Sequence, residues 1–291
     1  MKRLIVTADD FGAAHEVNEA VEAAHRGGIL SAASLMVSAP AAHDAVTRAR
    51  RTPSLRVGLH LVLTEGRPVL PASAVKHLVD GSGLFRTDMT ALGAAIAFST
   101  QARRELAAEI AAQFAAFRDT GLPLDHCNAH KHFHLHPLIG RLMTEIGGRF
   151  GLRAARVPFE PRIRWAPEAL TAPLAALLRR RLRAAGLLVP DRVFGLRWSG
   201  QFTRDRLLGL MRNLPDGLTE IYLHPATGPF AGAAPGYRYR EEFEALTAPE
   251  MVEAARDPSV RLGGFSDFLC AEPALRPGAP PAAMPHRGVM P

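Results

Sequence analysis

Cysteine is almost missing from this chain: 291 residues contain two, Cys127 and Cys270. Two are too few for a disulfide framework, and they lack the paired spacing of a structural zinc site. A reducing cytoplasm is the expected compartment. No stretch approaches the roughly 20 apolar residues that span a bilayer. The opening MKRLIVTADD starts with a basic pair, but Asp9 and Asp10 interrupt it before a signal-peptide core can form. The chain is expected to be soluble, with a peripheral touch on the inner membrane face left open. Aromatics reach only 7 %, and no RNP, helix-turn-helix or zinc-finger pattern occurs, so nucleic acid is not an expected partner. There is also no GxSxG elbow to supply a serine nucleophile.

At 47 % hydrophobic, the chain can bury one large core, and single-domain α/β barrels commonly reach this length. Charge is unevenly spread. The formal total is +7, while Arg141 to Arg212 alone holds 15 Arg, no Lys and five acids. Such a segment is either a solvated face or an attraction for anionic lipid.

Short β-rich runs alternate with helical patterns, which predicts βα units and a parallel sheet. Strands are expected near residues 3–7, 31–37, 55–62, 124–134, 155–159, 191–196, 219–224 and 260–265. Eight of them suggest a distorted (β/α) barrel of TIM type, one domain over residues 1–270. EVNEAVEAAHRGG, ARRELAAEIAAQFAAFRDTG and PLIGRLMTEIGGRFG read as helices, each closed by a Gly suited to a left-handed cap. The mixed stretch 64–100 is a candidate lid. The Pro-, Ala- and Gly-rich tail, 271–291, is expected to be disordered.

Four segments could carry chemistry. TADDFG delivers Asp9 and Asp10 at the end of the first strand, where catalytic groups of a barrel collect. The plainer reading is an Asx turn with an N-cap. VGLHLVLTEG sets His60 in an apolar strand. CNAHKHFHLHP spaces His130, His132, His134 and His136 two apart. If that run is a strand, Asn128, His130, His132 and His134 share one face, and burying the imidazoles without partners would cost several kcal/mol. EIYLHPATGP ends a further strand in His224. One carboxylate and two imidazoles with open positions make a normal set for a catalytic divalent cation.

These landmarks, in this order, resemble the YdjC-like carbohydrate deacetylases over roughly residues 1–270. The NAHKHFHLHP detail is most similar to the hopanoid-biosynthesis-associated members, which implies an N-acetylglucosaminyl hopanoid as substrate. The resemblance also implies that Asp10, His60 and His130 hold one divalent cation, Zn or Mg, with Asp9 as general base. His224 would then protonate the departing amine or steady the oxyanion. Asn128, His132 and His134 are expected to orient ligands or touch substrate; Asn128 stands where chitooligosaccharide-type relatives carry Asp.

A glycolipid substrate would ask for a membrane-facing surface. In ALTAPLAALLRRRLRAAGLLVP, Leu174, Leu177, Leu178 and Leu182 form one helical stripe. Arg179, Arg180 and Arg183 fall largely off it, and Arg181 lies near enough to snorkel. An ordinary barrel helix explains the stripe equally well. The rival functions are deacetylation of soluble chitooligosaccharides, metal-dependent phosphoester hydrolysis, and non-catalytic glycolipid binding.

Overall fold

The computed structural model describes residues 1–160 and 171–269. β1 (Lys2–Phe11) is the axis of a seven-stranded parallel sheet. Along Lys2–Ala8 it pairs with β6 (Gly217–Leu223). On its other side the first residues pair with β7 (Val260–Leu262) and the last with β2 (Ala32–Leu35). β3 (Arg56–Leu61) and β4 (Cys127–Ala129) continue beyond β2, and β5 (Arg192–Phe194) lies beyond β6. Backbone 153–159 joins the two edges: Arg156 N–H donates to Cys127 O, and Val193 N–H donates to Phe159 O, both at 3.1 Å.

This is the expected distorted α/β barrel of TIM type, with one expected strand reduced. The 155–159 run contributes isolated bridges at Ala154 and Ala155, and Pro158 within it has no N–H to give a ladder. Residues 271–291, expected to form a disordered tail, lie outside the described residues.

Around the sheet run α1 (His15–Gly27), α2 (Ala42–Arg51), α3 (Met89–Phe98), α4 (Thr100–Asp119), α5 (Pro137–Arg149), α6 (Ala172–Ala184), α7 (Arg204–Arg212), α8 (Tyr239–Thr247) and α9 (Pro249–Ala255). The three helices expected from pattern are α1, α4 and α5. Gly121 and Gly151 take the left-handed conformation expected after α4 and α5. Gly28 does not. Its φ is −128°, and the reason for glycine there is space, since a Cβ would lie 2.3 Å from the Leu246 carbonyl oxygen.

Period-two alternation divides β1 between two cores. Leu4, Val6 and Ala8 face the helices and join the large outer core. Ile5 faces inward, in a small plug with Ala32, Ala154, Leu218, Phe265 and Phe268. Above that plug the buried inward positions turn polar: Thr7 and Asp9, Ser34, His60, Asn128, Arg156 and Glu220. Barrels usually fill these layers with branched apolar side chains. A polar interior must therefore satisfy itself by hydrogen bonds.

The 64–100 stretch, expected as a candidate lid, contributes Glu65, Gly66, Arg67 and Leu84 to the lining of a cavity, and its backbone is tied to α4. Glu109 of α4 accepts from Val69 N–H at 2.8 Å and Leu70 N–H at 3.0 Å. Glu105 accepts from His77 N–H at 2.8 Å, and Gln113 bonds both backbone groups of Val62. Glu109→Ala would strand two loop N–H groups, and the expected loss is about 2–3 kcal/mol of unfolding free energy, measured by urea titration.

Candidate metal and catalytic site

Consecutive residues on a strand normally point to opposite faces, yet Asp9 and Asp10 both line one cavity. The register of β1 slips between Ala8 and Phe11, and Asp10 sits at φ 60°. This bulge turns two neighbouring carboxylates the same way. Asn18 fixes the exit from it: its buried Oδ1 accepts from Gly12 N–H at 2.8 Å, and its Nδ2 donates to Ala41 O at 3.0 Å.

The histidine run is not a strand beyond Ala129. β4 stops there and a 3-10 turn covers His130–Leu135, with Lys131 and His132 at φ 51° and 55°. Two successive left-handed residues end the alternation, so the expected shared face of Asn128, His130, His132 and His134 does not form. Each histidine goes its own way. His130 Nδ1 lies 3.1 Å from Asp10 Oδ1. His132 Nε2 bonds the Tyr222 hydroxyl at 2.9 Å. His134 is fully buried and its Nε2–H donates to Arg156 O at 3.0 Å. His136 caps α5 by accepting from Leu138 N–H, with Pro137 in the first turn.

Asp10, His60 and His130 each offer a ligand atom, and these atoms lie within 4.8 Å of one another. His60 Nε2 is 3.2 Å from Asp10 Oδ1. The donor set fits a divalent cation in kind, with two nitrogens and a carboxylate. It also fits in charge. Asp9, Asp10 and Glu220 are three carboxylates set against one buried guanidinium, Arg156, and a dication would restore the balance.

Arg156 is the residue that pattern reading missed. It is fully buried and grips Asp9 with two nitrogens, Nη1 to Oδ2 at 2.5 Å and Nη2 to Oδ1 at 3.0 Å. It also donates to Glu220 Oε1 at 2.7 and 2.9 Å, and it stacks on Tyr222. The one available signal was a cation inside the apolar run ARVPF. Burial alone would raise the Asp9 carboxyl, but the Arg156 charge and hydrogen bonds outweigh it and hold Asp9 well below its ordinary range. Asp10 is likewise lowered: burial opposes, and His130 and His60 win.

The cavity above these groups has a volume of about 1130 Å³. His224, just past β6, lines it, as do His132 and Tyr222. Burial pushes both imidazoles below their ordinary value, and the buried Nδ1 atom of each has no protein partner. His134, pushed to about 3 mainly by burial, is a neutral prop behind Arg156. Four non-glycine residues among those described have left-handed backbone, Asp10, Glu65, Lys131 and His132. All four line this cavity, and strain of this kind, about 1–3 kcal/mol each, collects at working sites. Lys131 and Glu65 form an ion pair at its mouth.

Residues 3–257 match the family model described as YdjC-like protein. A carbohydrate deacetylase of Geobacillus stearothermophilus is 31 % identical, covering 91 % of this chain and 97 % of that protein. One from Mus musculus is 30 % identical, covering 93 % and 96 %. A crystal structure of a candidate cellobiose-phosphate cleavage protein from Enterococcus faecalis aligns with a TM-score of 0.74 at 23 % identity, covering 92 % and 99 %. At that identity the likeness concerns the fold.

Arg156→Met would leave Asp9 and Glu220 buried without their cation, and the expected cost is about 3–5 kcal/mol in urea unfolding at pH 7. The pH dependence has a definite sign. Asp9 folds with its pKa below the ordinary 3.8, so its stabilisation is present above that value and is lost as pH falls through the folded value. The substituted chain should lose this share of the acid dependence; unfolding curves that superimpose from neutral to acid pH would contradict the pairing.

Proposed function

We propose that this chain, which belongs to the YdjC-like protein family, is a carbohydrate deacetylase using one divalent cation, zinc or magnesium, to hydrolyse the N-acetyl amide of an N-acetylglucosamine-bearing glycolipid. The glycolipid is the N-acetylglucosaminyl hopanoid that the sequence resemblance implies. One observation carries the catalytic part: a second carboxylate, Asp9, held ionised by Arg156, stands beside the ligand-bearing trio Asp10, His60 and His130.

Those three residues would hold the cation, which when bound supplies Lewis-acid polarisation of the amide carbonyl and an acidified water. Asp9 accepts the water's proton. The protonated carboxyl then returns that proton to the departing amine. His224 is neutral at rest, and a neutral ring supplies one N–H to charge developing on the carbonyl oxygen. His132, anchored to Tyr222, is a further polar group on the cavity wall. Phosphoester hydrolysis with two metals finds less support, because the described residues hold one candidate ligand group.

Two features support a lipid-linked sugar over a soluble one. Part of the cavity wall is apolar, with Met36, Leu84, Phe230 and Ala233, and Leu84 is itself exposed. On α6 the expected single stripe is split: Leu178 and Leu182 are buried, while Leu174 and Leu177 are each 38 % exposed. Beside them Arg180 and Arg181 face outward. Arg179 and Arg183 are committed to Asp191, which narrows the basic patch to the other two. No helix among the described residues is long and apolar enough to cross a membrane.

Asp9→Asn should lower kcat for acetate release by about 10²–10⁴-fold and leave about one bound cation per chain. A purely binding protein would release no acetate in either form. Mass spectrometry of N-acetylglucosaminyl hopanoid, run beside chitooligosaccharides, is expected to show loss of one acetyl group from the hopanoid first. The reverse preference would remove the glycolipid reading. Sedimentation with anionic liposomes should fall with added salt and on Arg180→Glu plus Arg181→Glu; unchanged sedimentation would remove the membrane contact.

A further inference from the structure

A second hydrogen-bonded line runs through the barrel interior beneath the site, and it uses none of the residues assigned above except at its upper end. At the bottom is Asp125, 4 % exposed, whose Oδ1 accepts from Ser266 N–H at 2.8 Å and whose Oδ2 accepts from Phe265 N–H at 3.1 Å. His126 Nδ1 lies 2.9 Å from Oδ2, and its Nε2 lies 3.0 Å from Ser34 Oγ. Ser34 Oγ is 2.9 Å from Asn128 Nδ2. Asn128 Nδ2 also reaches Asp9 Oδ1 at 3.3 Å, and its Oδ1 is 2.6 Å from His60 Nδ1. Asp125, His126, Ser34, Asn128 and His60 are all buried.

The order of donors along this line is determined by its bottom end. A carboxylate only accepts. His126 therefore carries its proton on Nδ1 and leaves Nε2 as an acceptor. The Ser34 hydroxyl must then donate to Nε2, which leaves its oxygen to accept from the Asn128 amide. With both N–H bonds of Asn128 spent on Ser34 and Asp9, its carbonyl faces His60. We propose that Asp125, His126 and Ser34 are positioning residues which, through Asn128, hold His60 protonated at Nδ1, so that Nε2 is the atom offered to the cation position, where a cation would replace any proton shared with Asp10.

The fold makes room for this line. A Cβ on Gly58 would lie 2.5 Å from His126 Nδ1, so the ring fits only against a glycine. Its other face stacks on Phe265 at 4.2 Å between centroids. Burial would raise the Asp125 carboxyl, but the His126 and Ser266 hydrogen bonds hold it below its ordinary range, consistent with an anion at the bottom of the line. A ligating imidazole needs its other nitrogen protonated and held, and here that hold is relayed across four side chains.

The proposal rests on reading Asp10, His60 and His130 as the cation site, and the test separates the two. Long-range 1H–15N spectra of metal-free protein labelled at histidine nitrogen are expected to show His126 as the Nδ1–H tautomer and His60 protonated at Nδ1. An Nε2–H tautomer at His60, or a doubly protonated His126 at neutral pH, would overturn the proposal. Ser34→Ala is expected to mix the His60 tautomers and weaken Zn²⁺ binding, by chelator competition, about 10- to 100-fold, with Ser34→Thr recovering most of both. A folded Ser34→Ala protein with His60 and Zn²⁺ affinity unmoved would also overturn it. Should Ser34→Ala fail to fold, the wild-type tautomers alone decide. Wild-type protein with the expected tautomers but no Zn²⁺ binding would support the hydrogen-bond order and remove the cation reading.

Discussion

A guanidinium buried between two carboxylates governs this barrel. Arg156 has no exposed surface, so its charge is tolerable only because Asp9 and Glu220 meet it with direct hydrogen bonds. The reverse also holds: neither carboxylate could stay ionised in that interior alone. The trio fixes where the top of β1 must sit relative to the 153–159 segment and β6. Asp10 is placed next to it by the bulge, and it brings further negative charge against two imidazoles. The three carboxylates outnumber the guanidinium, and the cavity lined by Asp9 and Asp10 is where a cation can enter.

Much of the fold was legible because its outer face obeys simple periods. Leu4, Val6 and Ala8 alternate with inward positions as a buried strand should, and α1, α4 and α5 carry capped helical patterns. The site was legible in part for a different reason. Asp9, Asp10, His60, His130 and His224 are polar residues at the ends of apolar runs, and the cost of burying them makes them conspicuous. What the pattern could not give was the path of the backbone after Ala129. Period two reads the four histidines as one face, whereas left-handed Lys131 and His132 send them to four separate tasks. Neither residue carries a turn signature of the Gly or Asn kind, so nothing in composition announces the break.

Arg156 and the Asp125–His126–Ser34 line were hidden for the complementary reason. Apart from the cation inside the apolar run ARVPF, each residue looks ordinary in its own segment, and the interactions that explain them span between 64 and 147 positions for Arg156 and 92 for His126 with Ser34. The insertion at 64–100 and helix α6 show the same limit. Glu105, Glu109 and Gln113 read as the polar positions of α4, but their partners are backbone groups of a preceding loop. Arg179 and Arg183 read as part of a basic patch, but Asp191 takes both.

Asn128 is where the two interior lines meet. Its amide donates to Asp9, the proposed proton acceptor, and its carbonyl faces His60 Nδ1, on the ring proposed as a ligand. A carboxylate at that position could accept from His60 equally well. It could not donate to Asp9, and it would set another negative charge against the base that Arg156 keeps ionised, raising the proton affinity of Asp9. A neutral amide performs both tasks without altering that balance. In the proposed site, orientation of the ligand and strength of the base are thereby set through one side chain, which hydrogen bonds join to Asp125 at the far end of the barrel.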